Sequence, residues 1–243
     1  MAKLARMTAT LLAFDTSTES MAVALQSARG TSAWNGPGGA LASATLLPTV
    51  RSLLREQALA LSDLDAIAFG AGPGAFTGLR TACAVAQGLA FGVGRPVLPI
   101  DSLLIVAEDA RSQHGEAAGL DIGVAMDARM GELYAARYHW EGSRWRVLCA
   151  SMLCRPEKLM ALWGAGAPAV LAGNGLPLLP APFCIAAASA LAPAADRARA
   201  LLRLAQMLYA DGAGVPAAQA LPLYLRDKVA LTTHERAALK VAL

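Results

Sequence analysis

The stretch Phe69-Gly70-Ala71-Gly72-Pro73-Gly74-Ala75-Phe76-Thr77-Gly78-Leu79-Arg80 does most to constrain how this chain can fold. It follows an apolar run, Ala66-Ile67-Ala68-Phe69, and opens a helical pattern. Glycine lets another backbone or a ligand come close, and Pro73 fixes its own φ while removing a donor. A helix N-terminus behind such a turn presents N–H groups that suit a phosphate or a carboxylate. A tight crossover that holds no ligand would use the same residues, so both readings stand. The standard nucleotide patterns fail. Leu79-Arg80 follow Gly78 where a Walker loop needs Lys and Ser/Thr, and the third glycine of the dinucleotide pattern arrives one residue late.

At 243 residues, the chain is long enough for one large domain or two small ones with real cores. A hydrophobic fraction of 56% with 16% charged residues excludes a disordered chain. No uninterrupted apolar stretch reaches about eighteen residues, so a membrane span is not expected. Met1 to Arg6 is basic but lacks a following apolar stretch and cleavage site, which makes the cytoplasm the expected location. The net charge of +3 is too small to argue for nucleic acid by itself. Arg144 and Arg146 around Trp145 read as a solvated hairpin edge. Cys83, Cys149, Cys154 and Cys184 form no C-x-x-C pair, and His114, His139 and His234 are scattered. A zinc site would therefore have to draw ligands from distant segments.

Leu11 to Phe14 and Met21 to Leu25 read as a β-hairpin around a hydroxyl-rich turn, Asp15-Thr16-Ser17-Thr18-Glu19-Ser20. Residues Trp34 to Gly39 read as loop by composition. Leu46, Leu47, Val50, Leu53 and Leu54 fall at helical spacing, and the helix after the glycine-rich turn is apolar on most sides. Its small residues Ala82, Ala86 and Ala90 share one face. Val97 to Ile100 reads as a strand, followed by a helix over 103–112, and a compositional break follows at 114–119. The second half again opens strand, turn, strand, with Asp127-Ala128-Arg129-Met130-Gly131 as the turn. Further elements are expected at Trp145–Cys149, Pro156–Trp163, Val170–Gly175 and Pro193–Tyr209. Two related α/β units are expected, over residues 1–110 and 111–243, with the second reduced.

Four segments carry a specific resemblance, in order along the chain: Leu12-Ala13-Phe14-Asp15-Thr16-Ser17-Thr18; Gly72 to Arg80 with Gln87-Gly88-Leu89-Ala90; Met126 to Glu132; and Tyr224-Leu225-Arg226-Asp227-Lys228-Val229-Ala230. Together they resemble the bacterial TsaB (YeaZ) family. The resemblance implies an actin- and hexokinase-like (ASKHA) α/β fold of two ribonuclease-H-like units. It also implies a non-catalytic subunit of the machinery that threonylcarbamoylates the adenosine next to the tRNA anticodon. Such a subunit pairs with the catalytic subunit TsaD, is joined by the ATPase TsaE, and meets tRNA through the complex.

The catalytic relative holds its metal with a histidine pair at i, i+4, and no such pair occurs here. A histidine that family members often carry before Leu46-Leu47-Pro48 is also missing. No cofactor is expected to be required. Asp15, Thr16, Gly72, Gly74, Thr77 and Gly78 are candidates for weak ATP or ADP binding. The alternatives are an ATP-dependent phosphotransferase of the same superfamily, with Asp15, Thr16, the glycine-rich turn and Asp127 around ATP and Mg²⁺, and, behind it, a zinc metallopeptidase. Partner contact, and homodimerisation of the lone chain, are expected through Leu47, Val50, Leu54, Ala82, Ala86, Leu89 and Ala90.

Overall fold

The computed structural model describes residues 8–114, 119–163, 166–180, 189–190 and 195–226. Cys184, His234 and residues 227–230 of the C-terminal motif lie outside the described residues, as do the first residues of the expected helix at 193–209. Among the described residues the chain forms two five-stranded sheets. The first contains β1 (Leu11–Asp15), β2 (Ser20–Ser27), β3 (Gly30–Pro37), β4 (Ala66–Gly72) and β5 (Val97–Asp101), in the order β3-β2-β1-β4-β5. The second contains β6 (Leu120–Asp127), β7 (Leu133–Trp140), β8 (Trp145–Cys154), β9 (Val170–Ala172) and β10 (Ser189–Ala190), in the order β10-β9-β6-β7-β8. Its reduction lies at one edge, where β9 has three residues and β10 two.

The first sheet sorts most of the side chains of its central strands by size. Leu12, Phe14, Met21, Val23, Ile67 and Phe69 face α1 (Ala42–Glu56) and α2 (Phe76–Val93). The opposite face carries Ala13, Ala22, Ala24, Ala66 and Ala68 alongside Leu11, Leu98 and Ile100, and on it lies α5 (Arg197–Ala210). Alternate strand residues point to opposite faces, so this pattern builds one thick layer and one thin layer. The thin layer lets a helix drawn from the far end of the chain sit close to the strands. Helix α3 (Ser102–His114) lies between the sheets, giving Ile105 to the first core and Leu103, Val106, Ala107 and Ala110 to the second. Helix α4 (Pro156–Trp163) buries Leu159 and Trp163 on the other face of the second sheet.

Two expectations give way. Trp34 to Pro37 belongs to β3, which pairs antiparallel with β2 along its whole length. Glycine and proline suit this edge strand, and Gly36 leaves room for the Trp34 ring that lies over it. The division into residues 1–110 and 111–243 separates the two sheets but not the packing. Helix α5 and the segment from Val215 to Leu223 lie on the first unit, because the thin face and the α2 flank need cover that residues 1–110 do not supply.

Asp101, at the end of β5, accepts hydrogen bonds from Ser151 Oγ (2.6 Å) and Tyr138 Oη (3.0 Å) of the second sheet and from the Leu103 amide (2.8 Å). Burial pushes its carboxyl above the usual range, and these hydrogen bonds offset only part of that rise. A raised folded value means that the protonated form stabilises the fold. That contribution is complete below the unfolded value and is lost as pH rises through the folded one. Asp101→Asn mimics the protonated carboxyl. Thermal unfolding across pH should show the variant gaining on the wild type from about pH 4 upward, with a constant gap above the raised value. A gap that does not change with pH would contradict this assignment.

Candidate functional site

The sequence candidates converge where β1, the glycine-rich turn and the N-terminus of α5 meet. Asp15 is fully buried. Its Oδ1 accepts the Ser17 amide (2.9 Å), and its Oδ2 accepts the Ser17 hydroxyl (3.0 Å) and the guanidinium of Arg197. Arg197 is itself 5% exposed and also donates to Thr18 Oγ1 (2.7 Å) and Ser17 Oγ (3.2 Å). A carboxylate free to hold a cation beside a phosphate would need open lone pairs and solvent access. Asp15 has an arginine in that place.

The space where the glycines of the turn would carry a Cβ is taken by the chain itself. A Cβ on Gly70 would collide with the Asp15 carboxylate, and one on Gly78 with the carbonyl oxygen of Thr16. A Cβ on Gly74 would stand 2.5 Å from the Ser17 carbonyl oxygen, and one on Gly72 2.7 Å from that of Leu223. Gly72 also needs glycine for its φ of +115°. Thr16 Oγ1 donates to the Gly78 carbonyl (2.7 Å), the Ala75 amide to the Ser17 carbonyl (2.8 Å), and the Gly72 amide to Ser102 Oγ (3.1 Å). Of the nucleotide candidates, Asp15, Thr16, Gly72 and Gly78 are therefore occupied inside the protein, while Gly74 is half-buried and Thr77 exposed.

A cleft of about 320 Å³ opens beside this turn, between the two sheets. Ser17, Thr18, Gly74 and Phe76 line one wall and Asp127, Arg129, Tyr134 and Asn174 the other. Asp127 Oδ1 accepts the Arg129 amide (2.7 Å), and Arg129 reaches Glu19 across the cleft (3.2 Å), with both side chains exposed. Among the described residues no group of three or more His, Cys, Asp or Glu could hold a metal ion. Sequence reasoning missed Arg197, because an arginine 182 positions from its partner leaves no local trace. Tyr224 and Arg226 stood in a matched motif, but nothing in it placed them at this cleft.

The expected partner surface needs correction. Ala82, Ala86 and Ala90 are buried in the chain's own core, as are Val50 and Leu54. The small stripe of α2 admits the sheet beneath it, so it cannot admit another helix. Leu47 (44% exposed) and the half-buried Leu89 do reach the surface, where with Arg51 and Leu61 they line a groove between α1 and α2 that Val50 and Leu54, though buried, also line. The outer face of α2 carries Ala84, Gly88 and Phe91, the last 84% exposed.

Comparison with known proteins fits this geometry. The TsaB protein of Haemophilus influenzae, called a tRNA threonylcarbamoyladenosine biosynthesis protein, is 34% identical over 90% of this chain and 94% of its own length. The chain belongs to the TsaB (YeaZ) family. A family model described as TsaD, tRNA N6-adenosine threonylcarbamoyltransferase, also matches residues 41–232. The solved structure of YeaZ from Pseudomonas aeruginosa is 40% identical, with a TM-score of 0.79, covering 90% of this chain and all of that one. An inorganic polyphosphate/ATP-glucomannokinase from Arthrobacter sp. strain KM, 13% identical with a TM-score of 0.50 over 84% of this chain and all of that one, shares the fold alone. The fold is thus the actin- and hexokinase-like one that TsaB shares with sugar kinases.

Removing one partner of a buried ion pair strands the other charge, at a cost of about 3–5 kcal/mol. Arg197→Met should therefore lower stability by about that amount, whereas Asp15→Asn with Arg197→Met should recover most of it. Denaturant unfolding of the single and double variants checks the coupling. Simple additivity would show that the pair is not the unit described.

Proposed function

We propose that this TsaB-family chain acts in tRNA threonylcarbamoyladenosine biosynthesis as a non-catalytic subunit, binding and supporting a TsaD-type catalytic partner. One observation carries the reading: the aspartate that would serve phosphate chemistry in a kinase of this fold is buried against Arg197. The site of turnover is consumed as structure, which leaves surfaces to do the work. Nucleotide, if it enters the cleft at all, binds weakly and is not turned over. The complex works in the cytoplasm, TsaE joins it, and tRNA is met through it.

The contact face follows from what α2 leaves uncovered. Gly88 has nothing within 4 Å of where its Cβ would stand. With Ala84 it forms a flat strip on which a partner helix can lie close, and Phe91 supplies an anchor. Burying a phenylalanine side chain contributes about 1.5–3 kcal/mol. The groove of Leu47 and Leu89 flanks this strip. Left unoccupied, the same surface pairs two copies of the chain.

Gly88→Glu puts a charge on this strip and raises helix propensity, so the variant should fold at least as well as the wild type. It should fail to co-purify with the catalytic partner, to dimerise, and to support tRNA modification in reconstitution. Ala86→Glu is no substitute, because that position is fully buried and the charge would unfold the domain. A folded Gly88→Glu chain that binds as the wild type does would move the interface elsewhere. ATP turnover that survives purification and disappears on Asp15→Ala would overturn the non-catalytic reading.

A further inference from the structure

The segment from Val215 to Arg226 starts on one unit and ends on the other. Val215 pairs with Val97 at the edge of the first sheet through two backbone hydrogen bonds, each 2.9 Å. The Ala220 carbonyl accepts Gln87 Nε2 (2.8 Å) and Cys83 Sγ (3.3 Å) from α2. The Leu223 amide donates to the Ala71 carbonyl (2.7 Å), inside the glycine-rich turn. Tyr224 then rests on Phe76 with ring centroids 5.1 Å apart. At the end, Arg226 crosses to the β6–β7 hairpin, pairing with Glu132 (2.7 Å) and donating to the Ala128 carbonyl (3.1 Å).

We propose that this segment is a clasp: its Arg226 holds the second unit's hairpin to the first unit's glycine-rich turn and so sets how far the cleft between them opens. Two units joined around a cleft can move relative to each other unless something spans both walls. In an enzyme of this shape the bound ligand would span them. Here, beside the exposed Arg129–Glu19 pair at the cleft, an amide and a cation of the chain itself do so, eight and eleven residues after the anchor at Val215. Arg226 and Glu132 are both half-buried or better, so water screens their attraction less than at the open surface. Leu223, Tyr224 and Arg226 line the cleft directly, so releasing them both widens it and uncovers the turn.

Hydrogen exchange on the purified full chain tests the clasp, because its two ends lie on different units. Arg226→Ala should speed exchange of the Leu223 amide by about ten-fold, the order expected for losing a charge-assisted hydrogen bond. Glu132→Ala, made on the other unit, should speed the same amide to a similar extent. The double variant should add little to either. The Val215 amide, anchored upstream, and the core amides of β1 and β6 should keep their wild-type rates. The clasp is overturned if Glu132→Ala leaves Leu223 unchanged. It is equally overturned if Leu223 and the core amides accelerate together, because the contact then contributes only to global stability.

Discussion

The ion pair between Asp15 and Arg197 ties β1 to the N-terminus of α5. Burying two charges costs several kcal/mol unless each finds close partners, and here the hydroxyls of Ser17 and Thr18 supply them. The pair works only if α5 arrives at one angle and height. Other contacts impose the same placement: Asp109 accepts the amides of Ala195 and Asp196, Asn35 accepts that of Ala198, and Asp196 caps the helix by accepting that of Arg199. Each satisfies an N–H that a helix start would otherwise leave without a partner. With α5 fixed, the alanine face of the first sheet is covered and α3 is held between the sheets. Glu108 of α3 locks the far end of this layer, accepting from Arg111 and Trp145 and from Arg203 of α5. Burial would raise its carboxyl, but the two guanidiniums bring it below the usual range.

Much of this architecture is legible in the sequence, for physical reasons. The strands β1, β4 and β6 are short apolar runs ended by Asp or Gly, and burial on both faces leaves just that signature. β3 was not legible, since an edge strand with one face in solvent tolerates the glycines and proline that mark loops elsewhere. The packing of α5 on the first sheet could not be read either. Nothing local in Arg197–Ala210 says which of two sheets its apolar stripe will cover, and the answer lies in alanines at 13, 22, 24, 66 and 68.

The site shows a subtler ambiguity. Glycine reports that something comes close, without reporting what. At Gly70, Gly74 and Gly78 the visitor is the turn between β1 and β2, and at Gly72 it is the carbonyl of Leu223. The stripe of Ala82, Ala86 and Ala90 is silent in the same way, since it marks close approach by the chain's own sheet as readily as by a partner helix. The apolar excess of α2 has a similar origin. It is covered by the sheet beneath, by α1 on one flank and by the C-terminal segment around Ala220 on another, which leaves the strip of Ala84, Gly88 and Phe91, with Leu89 beside it and Phe76 at the N-terminal end.

The chain shares its fold with a glucomannokinase, and the polar groups of its glycine-rich turn are paired within the chain itself. Catalysis of phosphoryl transfer rests almost entirely on positioned charges and open donors that act on the phosphate. Arg197 satisfies the carboxylate, the carbonyls of Ser17 and Thr16 lie against the glycines, and Leu223 takes the Ala71 carbonyl. Each contact adds rigidity to the first unit, and the one to Arg197 also occupies the carboxylate of Asp15. The same contacts hold α2 at a fixed height above the sheet, and α2 carries the exposed strip. Rigidity in the filled site and definition of the outer surface are therefore one property, because the contacts that pair the groups of the turn also fix the helix that carries the exposed strip.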